Sequence, residues 1–320
     1  MSPGSAAADG SGVVVGRPGG AFRVTVPAST ANLGSGFDAL AMALSLHDVV
    51  EVAPVEAAAG TARVEVTGSG EGEVPEDESH LVVRVLHATM DRLGVSPPAL
   101  RLRCTNAVPH ARGLGSSAAA IVAGVAAGYR LAGFDVRSER VRPDALQLAA
   151  SYEGHADNVA ATLFGGLVVA WSVENRYRSV RLEPHPELAP VVMIPRAESA
   201  THTMRGLLPS EVPHADAAFA AGRTALAVHA LTTDPELLFE ATEDRLHQEY
   251  RGPAMPETLE LVRWLRNSGV PAAVSGAGPT VLTLPPGGEL PGGGIPEGFE
   301  VVRLDVDRAG VRVEEIHWPS

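Results

Sequence analysis

The chain has 320 residues, 45% hydrophobic and 20% charged, which suits two modest domains with cores of their own and argues against disorder. Thirty-eight acidic residues against 25 basic ones give a net charge of -13, which excludes roles resting on long-range attraction to nucleic acid or an anionic membrane. The single cysteine, Cys104, excludes an internal disulfide framework and any multi-cysteine metal site; within an apolar run it reads as core.

Residues 1–20 are Gly-rich, with neither a basic start nor a continuous apolar stretch, and read as a flexible tail rather than a leader. No later stretch reaches the roughly 18 apolar residues of a membrane span, so the expected setting is the cytoplasm. Short β-branched runs predict strands over 22–27, 48–53, 62–67 and 100–105, and helical spacing predicts helices over 79–93, 116–131 and 143–153. A strand over 167–171 precedes a polar stretch, 174–186, read as the approximate domain boundary. The second half repeats the mixture: a strand over 191–195, helices over 215–231 and 256–267, and strands over 272–275, 280–284, 299–305 and 311–317. The Gly- and Pro-dense stretch 285–298 reads as an exposed loop.

Residues 106–120, NAVPHARGLGSSAAA, follow a strand and run into an Ala-rich helix. Gly113 and Gly115 remove side chains where backbone must approach an anion, Ser116 and Ser117 offer hydroxyls and a cap, and the helix start offers free N–H groups. By residues alone, a strand followed by a capped helix with flexible glycines fits as well. The dinucleotide pattern G-x-G-x-x-A is also met, with Asp135 about twenty residues on, but no strand run precedes that acid. The lysine that would close G-x-x-x-x-G-K-[ST] is absent.

Read whole, P-x-x-x-G-L-G-S-S-A-A resembles the phosphate loop of the GHMP kinases. VPASTANLGSGFDAL (26–40) and GVPAAVSGAGPTVL (269–282) resemble two further signatures of that family, in the expected order, so the resemblance spans most of the chain. The first signature and EGHADNVA (153–160) are most similar to the homoserine kinase branch. The resemblance implies an α+β, two-domain fold: a ribosomal protein S5 domain 2-like half over 21–175 and a ferredoxin-like half over 176–320. It implies ATP over Pro109, His110, Ala111, Arg112, Gly113, Leu114, Gly115, Ser116, Ser117, Ala118 and Ala119, with Mg2+ near Ser117.

For the acceptor, L-homoserine, the resemblance implies that Asn32 contacts the hydroxyl end, Asp38 the ammonium, and Arg205 and Arg251 the carboxylate, with Thr201, His155 and Asp157 lining the site. Taken singly, Asn32 and Asp38 fit a structural Asx turn as well, and each arginine a surface ion pair. Asn158 stands where mevalonate kinase-like members carry an Asp base, and an amide cannot accept a proton at neutral pH. The expected reaction therefore rests on positioning and charge stabilisation. A magnesium-binding Glu eight residues before His155 is frequent in the family; that position here is Gln147, a weaker ligand, with Glu153 as the alternative source of charge. Family habit adds a homodimer. Two rival readings are a GHMP kinase for another amino alcohol or hydroxy acid, and a catalytically silent ligand sensor.

Overall fold

The computed structural model describes residues 20–196 and 201–318, with the side chains of 201–203 outside the description. Apart from Gly20, the expected tail lies outside the described residues. The first half runs β1 (Phe22–Asn32), β2 (Gly36–Val55), β3 (Ala62–Gly68), α1 (Leu81–Arg92), β4 (Ala99–Asn106), α2 (Ser116–Leu131), α3 (Arg142–Glu153), α4 (Asp157–Phe164), β5 (Leu167–Val173) and β6 (Arg176–Leu182). The second runs β7 (Val191–Pro195), α5 (Thr201–Gly206), α6 (His214–Thr232), α7 (Leu238–Ala241), α8 (Gln248–Arg251), α9 (Pro256–Asn267), β8 (Ala272–Val274), β9 (Val281–Thr283), β10 (Phe299–Arg303) and β11 (Arg312–Glu315).

Two sheets result. The larger has the order β11-β1-β2-β4-β3, with β5 added to β2 and β6 to β5; the smaller has the order β10-β7-β9-β8. β3 and β4 are parallel, joined through α1, and the other pairs are antiparallel. β2 is twice employed: Leu40–Met42 pair with β5 and Val49–Val55 with β4. Its first part is buried without interruption from Leu40 to Leu44, so both faces are covered, whereas Val50 and Val52 alternate with the half-exposed Glu51. Only the alternating part shows a strand period, so the prediction of 48–53 found six residues of a 20-residue strand.

Three cores follow. One lies between the large sheet and α1 to α4, where the Ala-rich α2 is buried through most of its length. A second packs α9 against the small sheet. The third joins the halves: Leu33, Leu40, Met42 and Leu114 from the first meet Val192, Ala227, Leu231 and Leu282 from the second.

The polar stretch 174–186, expected as the approximate domain boundary, instead contains β6, paired with β5 from Leu167↔Leu182 to Val173↔Arg176. Its sequence, RYRSVRL, is charged because one edge strand faces solvent, and that composition concealed it. The expected division at 175/176 falls in the turn of this hairpin, within the large sheet. β11 also returns to that sheet, against β1.

Candidate active site

Three turns converge on one cleft, and each carries one of the sequence signatures. The Ser29 N–H donates to the Leu114 carbonyl (3.0 Å), the Ser275 hydroxyl to that of Gly113 (2.6 Å), and the Thr280 N–H to that of Arg112 (3.2 Å). The Gly276 N–H donates to the Ala31 carbonyl (3.0 Å), while Asn32 Nδ2 donates to the Gly276 carbonyl (2.7 Å). Segments about 240 residues apart thus form one hydrogen-bonded unit. The loop glycines are required by this crowding: Gly113 (φ 78°) and Gly115 (φ 72°) are left-handed, and a Cβ would strike the Ser275 carbonyl at the first and the Ser29 hydroxyl at the second. Behind the loop, buried Asp48 accepts the Val108 N–H (2.8 Å). Burial pushes its carboxyl up to about 6, against the pull of the Val108 and Ala107 N–H groups.

Two cavities meet at this loop. One, of about 250 Å³, is lined by Asn32, Asp38, Glu153, His155, Arg205 and Arg251, among others. The second, of about 440 Å³ and mostly apolar, is lined by Val74, Pro75, His80, Leu81 and His110 on the far side. Ser116 and Ser117 line both. Gly115 is the N-cap of α2 and makes no side-chain cap hydrogen bond, so the helix leaves its first N–H groups for a ligand and neither serine is used as the expected cap. Ala111, Gly113 and Gly115 line the smaller cavity and His110 and Ala119 the larger. Four of the expected loop contacts are elsewhere. Leu114 and Ala118 are buried core, Pro109 lines neither cavity, and Arg112 Nε is bonded to the Pro195 carbonyl (2.9 Å).

The Ser117 hydroxyl donates to Glu153 Oε2 (2.7 Å), at the last residue of α3. Gln147 is not brought here: its Oε1 accepts the Tyr177 N–H (2.9 Å) and it lines a different cavity. Ser117 and Glu153 together present a hydroxyl and a carboxylate, the hard-oxygen set that suits Mg2+.

Past Gly154, His155 Nδ1 meets Asp157 Oδ1 (2.8 Å), and that carboxylate also accepts the Asn158 N–H (2.7 Å). A carboxylate only accepts, so the imidazole proton is on Nδ1. Burial lowers the His155 pKa, but the hydrogen bond to Asp157 and the charges of Asp157 and Glu153 outweigh it and hold the group above its ordinary value. Asn158 Oδ1 accepts the Ser29 hydroxyl (2.9 Å), so its amide N–H groups are what it can offer the cleft.

At the other end, Asn32 (φ 70°) and Asp38 (φ 53°) both hold left-handed backbone, which Asn and Asp tolerate better than most side chains. Asn32 Oδ1 accepts the Asp38 N–H (3.1 Å). Arg205 forks onto the Asp38 carboxylate, Nη1 to Oδ2 at 2.9 Å and Nη2 to Oδ1 at 2.8 Å, so the two groups expected to grip opposite ends of a zwitterion grip each other. Buried Arg251 is held by the Met204 and Gly276 carbonyls (3.3 Å each) and by His247 Nδ1 (3.1 Å). Burial drives His247 below its ordinary pKa; neutral, it donates from Nε2 to the Gly34 carbonyl (3.0 Å) and accepts from Arg251. Phe37 stacks on His247 and lies under both guanidinium groups. The Thr201 side chain lies outside the described residues, although its backbone opens α5. His247, Phe37 and Ser29 were not expected as site residues; Ser29 and Phe37 stand inside the first signature, but nothing local marks His247.

The profile described as GHMP kinases N terminal domain matches residues 80–166, and that described as GHMP kinases C terminal matches 225–290. The chain is 51% identical to a homoserine kinase of Streptomyces coelicolor over 82% of this chain and 84% of that one. It is 44% identical to one of Corynebacterium urealyticum, over 92% and 93%. Among solved structures, a homoserine kinase from Cytophaga hutchinsonii superposes with a TM-score of 0.77 at 25% identity, covering 92% of this chain and 97% of that one. A mevalonate kinase of L. major in complex with R-mevalonate shares the fold, with a TM-score of 0.64 at 15% identity and coverage of 89% and 95%.

Proposed function

The chain belongs to the GHMP kinase family, among its homoserine kinases, and from that premise we propose that it transfers the terminal phosphoryl group of ATP to the hydroxyl of L-homoserine. The products are ADP and O-phospho-L-homoserine, a step toward threonine. One observation carries this reading: Ser116 and Ser117 stand between an apolar cavity fit for a nucleotide base and a small charged cleft fit for an amino acid. A phosphate chain crossing that junction meets the free N–H groups of α2 and needs no lysine.

The acceptor oxygen forms a bond to the terminal phosphorus as the bridging P–O bond to ADP breaks, and the hydroxyl proton is released. Asn158, at the position of the family's carboxylate base, cannot take that proton, which passes instead to an oxygen of the transferred phosphoryl group or to water. The residues act by position: Asp38 on the ammonium, Arg205 and Arg251 on the carboxylate, and Asn32 and Asn158 toward the hydroxyl. Admission of the substrate exchanges the Asp38–Arg205 pair for one contact to each end of the zwitterion. Ser117 and Glu153 are the residues to hold Mg2+, which when bound neutralises charge on the phosphates. The same reading includes a homodimer and a cytoplasmic setting, supported by family resemblance; no helix among the described residues is long and apolar enough to cross a membrane.

The test is coupled ADP release with Mg-ATP and a panel of homoserine, serine, threonine, mevalonate and galactose. Turnover confined to homoserine is expected. Preference for another acceptor would move the chain to a different branch of the family, and ATP binding without turnover would make it a sensor.

A further inference from the structure

A cavity of about 870 Å³ lies apart from the catalytic cleft and shares no lining residue with it. It runs along the β5–β6 hairpin beside α3, with Tyr177 on the α3 side of β6 and Trp171, Arg176 and Arg178 on the hairpin's opposite face. In a chain of net charge -13 its wall is basic: Arg92, Arg142, Arg176, Arg178 and Arg181 stand against two carboxylates, Asp144 and Glu174.

Three of these arginines have local work. Arg92 reaches Asp144 at 4.0 Å, Arg142 stacks on Phe164, and Arg181 bonds the Phe164 and Arg308 carbonyls. Arg176 and Arg178 are exposed on an edge strand, and neither has an ion-pair partner among the described residues. The strand register places Arg178 opposite Trp171 and Arg176 opposite Val173, so both arginines share one face of the hairpin with an indole that is 43% exposed. An exposed indole on the same face as two arginines that have no ion-pair partner among the described residues offers a stacking surface and an anion clamp in one place.

The cavity is also wired to the catalytic cleft. The Tyr177 N–H is held by Gln147 on α3, and the Tyr177 hydroxyl donates to the Gly154 carbonyl (3.2 Å). Gly154 lies between Glu153, which holds Ser117, and His155, which holds Asp157. A ligand that shifts β6 therefore pulls on the residue joining two catalytic-cleft groups.

We propose that this groove is a second ligand site, for a small planar-ring anion of the nucleoside monophosphate class, with the ring on Trp171 and the phosphate between Arg176 and Arg178. Its occupancy is read at the cleft through Tyr177 and Gly154. This stands apart from the assigned reaction, which the groove's residues do not enter.

The experiment is calorimetric titration of the full chain, its catalytic nucleotide site first saturated with a non-hydrolysable ATP analogue and Mg2+, using AMP, GMP, inorganic phosphate and citrate as probes. Saturable one-to-one binding of AMP or GMP is expected, at least tenfold tighter than phosphate or citrate. It should weaken at least tenfold in Trp171→Ala and in the double variant Arg176→Ser/Arg178→Ser, whose unliganded kinetics stay at the parent's values and show that it folds. In the parent, but not in the double variant, the nucleotide should shift the apparent KM for homoserine at saturating ATP. Absence of saturable binding, equal affinity for inorganic phosphate, or binding unchanged in the double variant overturns the site; an unmoved KM with the site filled overturns the link.

Discussion

Asp38 and Arg205 neutralise each other in a cleft that must later hold a zwitterion, and their pairing sets what each can do for a substrate. Both are more than one-third exposed, so their mutual attraction is weak and exchange with substrate is cheap. Arg205→Ala should leave the fold intact and raise the KM for homoserine about tenfold or more, with a smaller change in kcat, because uniform binding is what it removes. Steady-state kinetics with circular dichroism as the fold check decide it. Glu153 has the opposite signature. Glu153→Gln keeps the shape and the hydrogen bond to Ser117 but loses the charge, so kcat should fall by about 10²-fold and the Mg2+ concentration for half-maximal rate should rise. Gln147→Glu, by contrast, should not alter the metal requirement, since residue 147 is engaged with Tyr177.

The start of α2 works because a glycine takes a left-handed cap that no side chain fills. Gly115→Ala should cost about 1–3 kcal/mol in strain alone, with further displacement of Ser29 and Asn158, and should abolish nucleotide binding before it abolishes folding. Gly222→Ala is the matched control: exposed within α6, with nothing near its Cβ, it should stabilise by about 0.5–1 kcal/mol in chemical denaturation. The tail of the chain is fixed by one residue. Asp307 accepts from His47 Nε2 (2.6 Å), Arg312 Nη1 (2.9 Å) and the Ala309 and Gly310 N–H groups (2.9 and 2.7 Å), just before β11. Burial would raise its pKa, yet the bonds from His47, Arg312 and Gly310 hold it far below the ordinary 3.8. A depressed carboxyl contributes stability that is present above its unfolded value and is lost as pH falls below it. Asp307→Asn should therefore cost about 1.5–3 kcal/mol near neutrality, and the difference from the parent should shrink as pH falls below about 4.

At the scale of the molecule, catalysis depends on the core that joins the two halves, since the phosphate loop, the β1–β2 turn and the β8–β9 turn are held to each other only if the halves stay docked. Leu114 belongs both to the loop and to that core. Leu114→Ala should cost about 2–5 kcal/mol and weaken ATP binding together with stability, whereas an equal deletion at Leu265, in the core under α9, should reduce stability with little effect on KM. Much was legible in the sequence. Ser116–Leu131, Val191–Pro195 and Pro256–Asn267 are elements whose period and flanks define them locally, and their predicted bounds match. Family, reaction and most cleft residues were legible because glycines, serines and carboxylates in phosphate and amino-acid sites leave short fixed patterns. Other features are relations between segments. β6 is a strand because β5 accepts it, the early part of β2 because two layers cover it, and Glu153 is the carboxylate at Ser117 because α3 ends there while Gln147 sits turns away. His247 is neutral because it is buried against Arg251, a neighbourhood its local sequence does not announce. Covalent side-chain identity along the chain sets which groups can hold an anion or a proton, and so the chemistry; folding sets which of them meet, since burial and distance exist only once the chain has folded.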